Sequence, residues 1–131
     1  MNVVFYPDKT DLEINVNKGP VVNKIKDITK NRPKLFALIS RTMDDVKIHK
    51  NLDKYKSNEW VTPLKGIKEP IFEFRIPPRD KKGVIRLYFA YKKNNQNTII
   101  ILSAEIKQGG KCEANKDDIK RAIERYKEVC L

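Results

Sequence analysis

The 131-residue chain has few of the residues that build common catalytic and metal centres. Its single histidine, His49, excludes a nuclease that uses two histidines as acid and base. It has two cysteines, fewer than a disulfide framework normally uses, and we interpret them as free thiols. No CxxC pair, glycine-rich phosphate loop or nucleophile elbow is present. We therefore expect no metal site and no cofactor.

Long apolar runs are also absent. A membrane-spanning helix needs about 20 consecutive apolar residues, and no segment approaches that length. The first six residues are followed at once by Asp8, Asp11 and Glu13, which does not match the pattern of a secretion signal. The sequence therefore predicts a cytoplasmic protein that does not contact a membrane.

Positive charge, in contrast, is abundant. Lysine and arginine number 28 against 17 aspartate and glutamate residues, which gives a formal net charge of +11 at pH 7. The excess is uneven, because the segment from Lys54 to Lys93 holds eleven basic and four acidic residues. Such an excess is typical of a protein with a polyanionic partner, most often nucleic acid. A basic, solvated surface without any partner is the alternative.

The length suits a single domain over residues 1–131. The first part of the sequence predicts a short strand followed by two helices. These helices should form a hairpin, since the break between them is short. The strand covers Asn2–Tyr6, a further strand is an option at 12–16, and the helices begin at Pro20 and Pro33. The polar stretch from Lys47 to Pro63 is predicted to be a loop.

Three strand-like runs and a last helix follow. In the first two runs alternate residues are apolar, so one face of each strand should be buried, whereas the third run is apolar on both faces and should be central. The runs are Ile71–Ile76, Val84–Tyr91 and Thr98–Ile106, and the helix has its N-cap at Asn115. The expected fold is therefore α+β, with an N-terminal strand and a helix hairpin packed on a mostly antiparallel sheet, then a C-terminal helix.

The polar positions of the first two runs form a candidate active site. If these runs pair as a hairpin, Glu73, Arg75, Arg86 and Tyr88 lie together on one face of the sheet. The helix pair should cover the other face, so we expect these four side chains to be exposed. Two arginines can clamp a phosphodiester while the carboxylate acts as a base. Salt links among the same side chains, without catalysis, are the alternative.

Lysines near the predicted sheet are candidate nucleic-acid contacts. Lys65 and Lys68 precede the first core strand, where they either contact phosphates or stay solvated. Four more lysines lie in loops, where long-range attraction is the expected role: Lys81, Lys82, Lys92 and Lys93. Trp60 and Tyr55 either stack on RNA bases or serve as packing residues.

The order of elements and several short motifs resemble the RelE/HigB/ParE superfamily of bacterial toxins, in particular its phage-associated RelE-like branch. The resemblance extends over essentially the whole chain. The residues that carry it are Val4–Pro7, Thr62–Lys65, Phe72–Arg75, Arg86–Phe89, Ile99–Leu102, Lys107, Ile119, Ala122 and Arg125. It implies a RelE-like fold and a small, basic, cytoplasmic protein that is neutralised by a cognate antitoxin.

The resemblance also implies an activity. Many relatives cleave messenger RNA on the ribosome, so the implied function is a metal-independent endoribonuclease (an mRNA interferase) with messenger RNA and the ribosome as partners. Arg86 matches a phosphate-binding arginine of the family, and Arg75 and Tyr88 match two other family positions. Lys107 matches a lysine after the last strand and is, with Tyr88, a candidate acid.

Two other functions within the superfamily stay open. One is a ParE-like inhibitor of DNA gyrase, which needs no catalytic cluster. The other is a catalytically inactive RelE-like module that binds nucleic acid. Two departures from the family pattern favour the inactive module: Gln108 stands where a basic residue is common, and Glu73 stands where ribosome-dependent members have a lysine. The sequence leaves the oligomeric state open.

Overall fold

A computed structural model describes residues 1–7, 19–49, 52–77, 83–93, 95–107 and 116–129, without the side chains of Asn95 and Gln96. These residues include the three core strands, the helix pair and the C-terminal helix. Several sequence predictions lie outside them: the optional strand at 12–16, the two cysteines, Lys81, Lys82, Gln108 and the N-cap at Asn115.

Nine elements follow one another along the described residues. The first four are strand β1 (Asn2–Phe5) and helices α1 (Pro20–Ile28), α2 (Pro33–His49) and α3 (Asp53–Ser57). The remaining five are strands β2 (Val61–Pro63), β3 (Phe72–Ile76), β4 (Val84–Lys92) and β5 (Asn95–Lys107), and helix α4 (Lys116–Val129). The helix starts at Pro20 and Pro33 are confirmed. None of these helices is both long enough and apolar enough to cross a membrane.

The five described strands form one sheet in the order β1-β5-β4-β3-β2. Strand β1 runs parallel to β5, and the other neighbouring strands are antiparallel. Strand β5 lies between β1 and β4, with residues 99–102 fully buried, so the predicted central strand is confirmed. The predicted α+β class is also confirmed, and the arrangement is consistent with a RelE-like fold.

One face of the sheet, which we call the helix-pair face, packs against α1 and α2. Phe74 of β3 and Phe89 of β4 are fully buried there beside Ile25 of α1 and Ile39 of α2. Full burial of an aliphatic or aromatic side chain stabilises a fold by about 1.5–3 kcal/mol relative to exposure. This face is therefore the main apolar core, and the predicted covering of one sheet face by the helix pair is confirmed.

The opposite face, which we call the α4 face, is covered as well. Ala122 of α4 is fully buried in a second apolar cluster with Tyr88, Ile100 and Leu102. This face was expected to stay at least partly open and to expose the predicted site, which is wrong for Glu73, Arg86 and Tyr88. The physical reason is that β5 is apolar on both sides, so its second side needs a cover as much as its first.

The segment from Lys47 to Pro63, which was expected to be a loop, contains regular structure. Helix α2 extends to His49, and α3 and β2 lie within the segment. Tyr55 of α3 packs on the rings of Trp60 and Phe74, with centroid distances of 5.4 and 5.1 Å. Aromatic contacts with the core thus order this polar stretch, which favours packing as the role of both aromatic residues.

Candidate active site

The register of β3 and β4 brings the four site residues predicted on these two strands onto one sheet face. Glu73 lies opposite Tyr88, and Arg75 lies opposite Arg86. Because side chains alternate between faces along a strand, all four lie on the α4 face. Their predicted juxtaposition is therefore confirmed.

Strand β5 adds a carboxylate and a lysine to this group. Glu105 lies opposite Arg86, and Lys107 lies opposite Val84 at the same end of the sheet. Glu105 was not among the predicted site residues, because the run that contains it is dominated by apolar side chains. The polar alternation of Ser103, Glu105 and Lys107 at the end of that run is the signal that would have revealed it.

The predicted exposure of the site is wrong. Tyr88 is fully buried, and the exposed fractions of Glu73, Arg86 and Glu105 are only 4–5%. Of the four predicted side chains, Arg75 alone reaches the surface substantially, with 38% of its side chain exposed. Alternation along a strand therefore gave the correct face, but the sequence pattern did not show that this face is covered.

Opposite charges balance within the group of Glu73, Arg75, Arg86 and Glu105, which we call the charge cluster. Nε of Arg86 lies 3.3 Å from Oε1 of Glu73, and its Nη1 lies 3.8 Å from Oε1 of Glu105. Nε of Arg75 donates to the same Oε1 of Glu73. The charge cluster can be buried because its two cations are matched by two anions. A buried charge without a partner would be strongly destabilising. The salt links considered as an alternative are therefore present.

Tyr88 closes the buried end of the charge cluster. Its hydroxyl donates to Oε1 of Glu105 at 2.8 Å. Burial, together with the charge of Glu105 and this hydrogen bond, raises the pKa of Tyr88 well above that of a free phenol. A phenol with so high a pKa is a poor proton donor near neutral pH, and its hydroxyl instead holds the carboxylate of Glu105 in place.

Two cations lie where the charge cluster meets the surface, and we call this pair, Arg75 and Lys107, the rim. Lys107 is half-buried, and the two residues lie on strands to either side of Arg86. An anion that approaches this end of the sheet would therefore meet a guanidinium and an ammonium first. The carboxylate of Glu73 lies next to the rim, where it accepts a hydrogen bond from Arg75.

The four predicted nucleic-acid lysines that the structure describes lie away from the rim. Lys65 and Lys68 are exposed in the segment before β3, at the end of the sheet opposite the rim. Lys92 and Lys93 follow β4 at that same far end. Six residues separate Arg86 from Lys92, which corresponds to about 20 Å along a strand. These lysines therefore do not share one surface with the rim.

A second polar group, centred on Asp45 of α2, was not predicted. Asp45 accepts hydrogen bonds from the hydroxyl of Tyr55 and from Lys54, and Nε2 of His49 lies 3.0 Å from its other oxygen. The hydrogen bond from Tyr55 lowers the pKa of Asp45, while burial and the same bond raise the pKa of Tyr55. The i,i+4 spacing of Asp45 and His49 is visible in the sequence, but their contact with α3 is not.

No three histidine, cysteine, aspartate or glutamate side chains within the described ranges are grouped as a metal site would require.

Comparison with known proteins assigns the chain to a protein family. The model of the family described as Phage derived protein Gp49-like (DUF891) matches residues 18–127. That range contains all four strands of the sheet other than β1, and it therefore contains the whole charge cluster. Comparisons with curated proteins and with solved structures gave no significant match.

Proposed function

Because the chain belongs to the phage-derived Gp49-like family, within the RelE/ParE-like toxin superfamily, we propose that it is the toxin of a toxin–antitoxin pair and cleaves messenger RNA on the ribosome without a metal. The rim is the observation that carries this proposal. It places a guanidinium and an ammonium at the surface beside a carboxylate. Arginine suits phosphate because its planar donors bind two oxygens at once.

The two rim residues, together with the carboxylate of Glu73 that Arg75 holds, take the roles that touch RNA. Cleavage needs a base for the 2′-hydroxyl, positive charge at the phosphate and an acid for the departing 5′-oxygen. In the proposal RNA draws Arg75 from Glu73 to its phosphate, which uncovers the buried carboxylate of Glu73 to act as the base, and Lys107 is the acid. Lys107 takes this role rather than Tyr88, because the raised pKa of Tyr88 makes its phenol a weaker acid.

Arg86 and Tyr88 act from inside the protein as positioning residues. Arg86 is 4% exposed and lies between two carboxylates, so its surface is covered by the protein itself. We therefore replace the direct phosphate contact expected from the resemblance with an indirect role. Arg86 fixes the carboxylate of Glu73, and Tyr88 fixes that of Glu105.

The antitoxin partner follows from the family and from charge. A toxin-like family is expected to have a neutralising partner, and the formal net charge of +11 favours an acidic one. In the proposal an acidic segment of the antitoxin covers the rim and so blocks access to RNA.

Substitutions at the rim test the proposal. Arg75→Gln should lower the rate of ribosome-dependent mRNA cleavage about 10²–10³-fold and Lys107→Gln about 10²–10⁴-fold, and both should relieve growth arrest on expression. Lys30→Gln is the matched control, because it removes one charge from an exposed position in neither the site nor the predicted contacts. Unchanged cleavage by both rim variants, with the fold intact, would remove the nuclease proposal.

One observation favours a second candidate, the catalytically inactive nucleic-acid-binding module. The two carboxylates of the charge cluster already balance both arginines, as they would in a purely structural network. In that case the wild-type protein would bind RNA but produce no cleavage products on ribosomes. The ParE-like function would instead give gyrase-linked DNA breaks on expression, with messenger RNA left intact.

A further inference from the structure

A small cavity of about 230 Å³ lies where α1, α4 and the edge of β5 meet. Strand β1 pairs with β5 only as far as Ile101, so the cavity lies just beyond the end of that pairing. Three of the side chains that line it are cationic, and they come from two different helices. The lining residues are Pro20, Lys24, Ser103, Ala104, Arg121 and Arg125.

The three cations differ in how they are held. Arg125 is anchored, since its Nη1 donates to the carbonyl oxygen of Leu102 at 2.7 Å and its guanidinium lies over the ring of Tyr6 at 4.7 Å. Arg121 is about half exposed and forms an ion pair with Asp118 at 2.9 Å. Lys24 is exposed, and no carboxylate of the described residues lies within ion-pair distance of it.

In the described part of the chain, cations therefore outnumber carboxylates at the cavity, in contrast to the charge cluster, where the two are equal in number. Among the described residues Asp118 is the only carboxylate paired directly with any of the three cations. Burial and the positive charge of Arg121 lower the pKa of Arg125 more than Tyr6, Glu128 and Asp118 raise it, so the two guanidiniums repel each other across a partly desolvated space. An anion in the cavity would relieve that repulsion.

We propose that this cavity binds a phosphate group, and specifically a phosphate of the RNA strand that the protein acts on. The assignment of this phosphate to RNA rests on the proposed function. Guanidinium and ammonium donors suit phosphate oxygens, and water occupies about 30 Å³ per molecule, so the cavity has room for the group and some hydration. Ser103 and Glu105 are two residues apart on β5, about 7 Å, which places the cavity beside the charge cluster.

The phosphate half of the proposal is tested with inorganic phosphate alone. In a phosphate-free buffer, titration of the full chain should give saturable backbone amide shifts around Lys24, Ser103 and Arg121. Lys24→Gln should weaken the apparent affinity about tenfold, because it removes a charged contact. Lys30→Gln removes the same charge from the turn that follows the far end of α1, away from the cavity, and should change the affinity less than about twofold. The absence of saturable shifts, or equal effects of the two variants, would overturn the proposal.

A second arm separates RNA phosphate from free phosphate. A single-stranded RNA made uncleavable by a 2′-deoxy residue at the cleavage position should move the same amides. Lys24→Gln and Arg121→Gln together should flatten the dependence of log affinity on log salt by about 0.7, the value for one phosphate. Phosphate binding at the cavity without any response to RNA would overturn the RNA assignment. Binding of both probes by a protein that cleaves no RNA would instead sink the proposed nuclease while leaving the phosphate site in place.

Discussion

The two faces of the sheet are both buried, but they are filled with different chemistry. The helix-pair face holds Phe74, Leu87 and Phe89 in an apolar core under α1 and α2. The α4 face is apolar at one end, around Tyr88, and carries the charge cluster at the other. The first face needs only shape and volume to be stable, whereas the second also depends on each charge keeping its partner.

The difference between the two faces indicates that the α4 face, rather than the helix-pair face, can carry a functional site. A buried charge network holds its members in fixed geometry and leaves only its margin accessible, as the rim does. An apolar core offers no such chemistry. The two faces should therefore respond to mutation in different ways, and the following substitutions test whether they do.

The largest effect is expected on the helix-pair face. Phe74→Ala removes a fully buried ring that packs on Tyr55 and Phe89, and it should lower the free energy of unfolding by about 3–5 kcal/mol. The loss comes from apolar burial and a residual cavity, and it should be the same at pH 5 and pH 8. Denaturant unfolding at both pH values measures it. A strongly pH-dependent loss would mean that this face also carries charge coupling.

On the α4 face a comparable loss should be reversible by further mutation. Arg86→Met leaves two buried carboxylates without their shared cation and should cost about 3–5 kcal/mol. Adding Glu73→Gln and Glu105→Gln to that variant removes the charge of Glu105, which has lost Arg86, and that of Glu73, which keeps Arg75 alone, and should restore most of the loss. Denaturant unfolding of the single and triple variants makes the comparison. A triple variant no more stable than the single one would show that the charges do not set the energetics of this face.

A smaller effect is expected from the hydroxyl of Tyr88. Tyr88→Phe removes the donor to buried Glu105 and should cost about 1–3 kcal/mol at pH 7. The folded protein raises the pKa of Tyr88 above that of the unfolded chain, which is about 10, so it keeps a proton that the unfolded chain loses. This contribution is present below about pH 10 and is lost as the pH rises further. Wild type should therefore lose stability above pH 10 more steeply than Tyr88→Phe does.

Most of the architecture follows from patterns that are local in sequence. Pro20 and Pro33 mark helix starts, and the alternation in β3 and β4 correctly places the polar residues of both strands on one face of the sheet. Burial of that face does not follow, because it depends on α4 returning to the sheet from the other end of the chain. The same applies to α3, which packs on the core through Tyr55, and to β2, which is held by its pairing with β3 rather than by any periodicity of its own.

The smallest effect is expected from a polar pair on the helix-pair side, which is more exposed than Tyr88 and Glu105. Tyr55→Phe removes the hydrogen bond to Asp45 and should cost about 0.5–1.5 kcal/mol at pH 7. Because that bond lowers the pKa of Asp45, its contribution is present above the unfolded-state pKa of about 4 and is lost as the pH falls through the folded-state pKa. Carboxyl NMR titration should show a higher pKa for Asp45 in the variant. An unchanged pKa would contradict the assignment of its cause.

The central claim is that RNA meets the rim while Arg86 works from inside. The most direct measurement follows the arginine side-chain Nε resonances of the full chain during titration with an uncleavable RNA that carries a 2′-deoxy residue at the cleavage position. The account predicts that the Arg75 resonance shifts to saturation and that the Arg86 resonance shifts little. A large shift at Arg86 with none at Arg75 would contradict it.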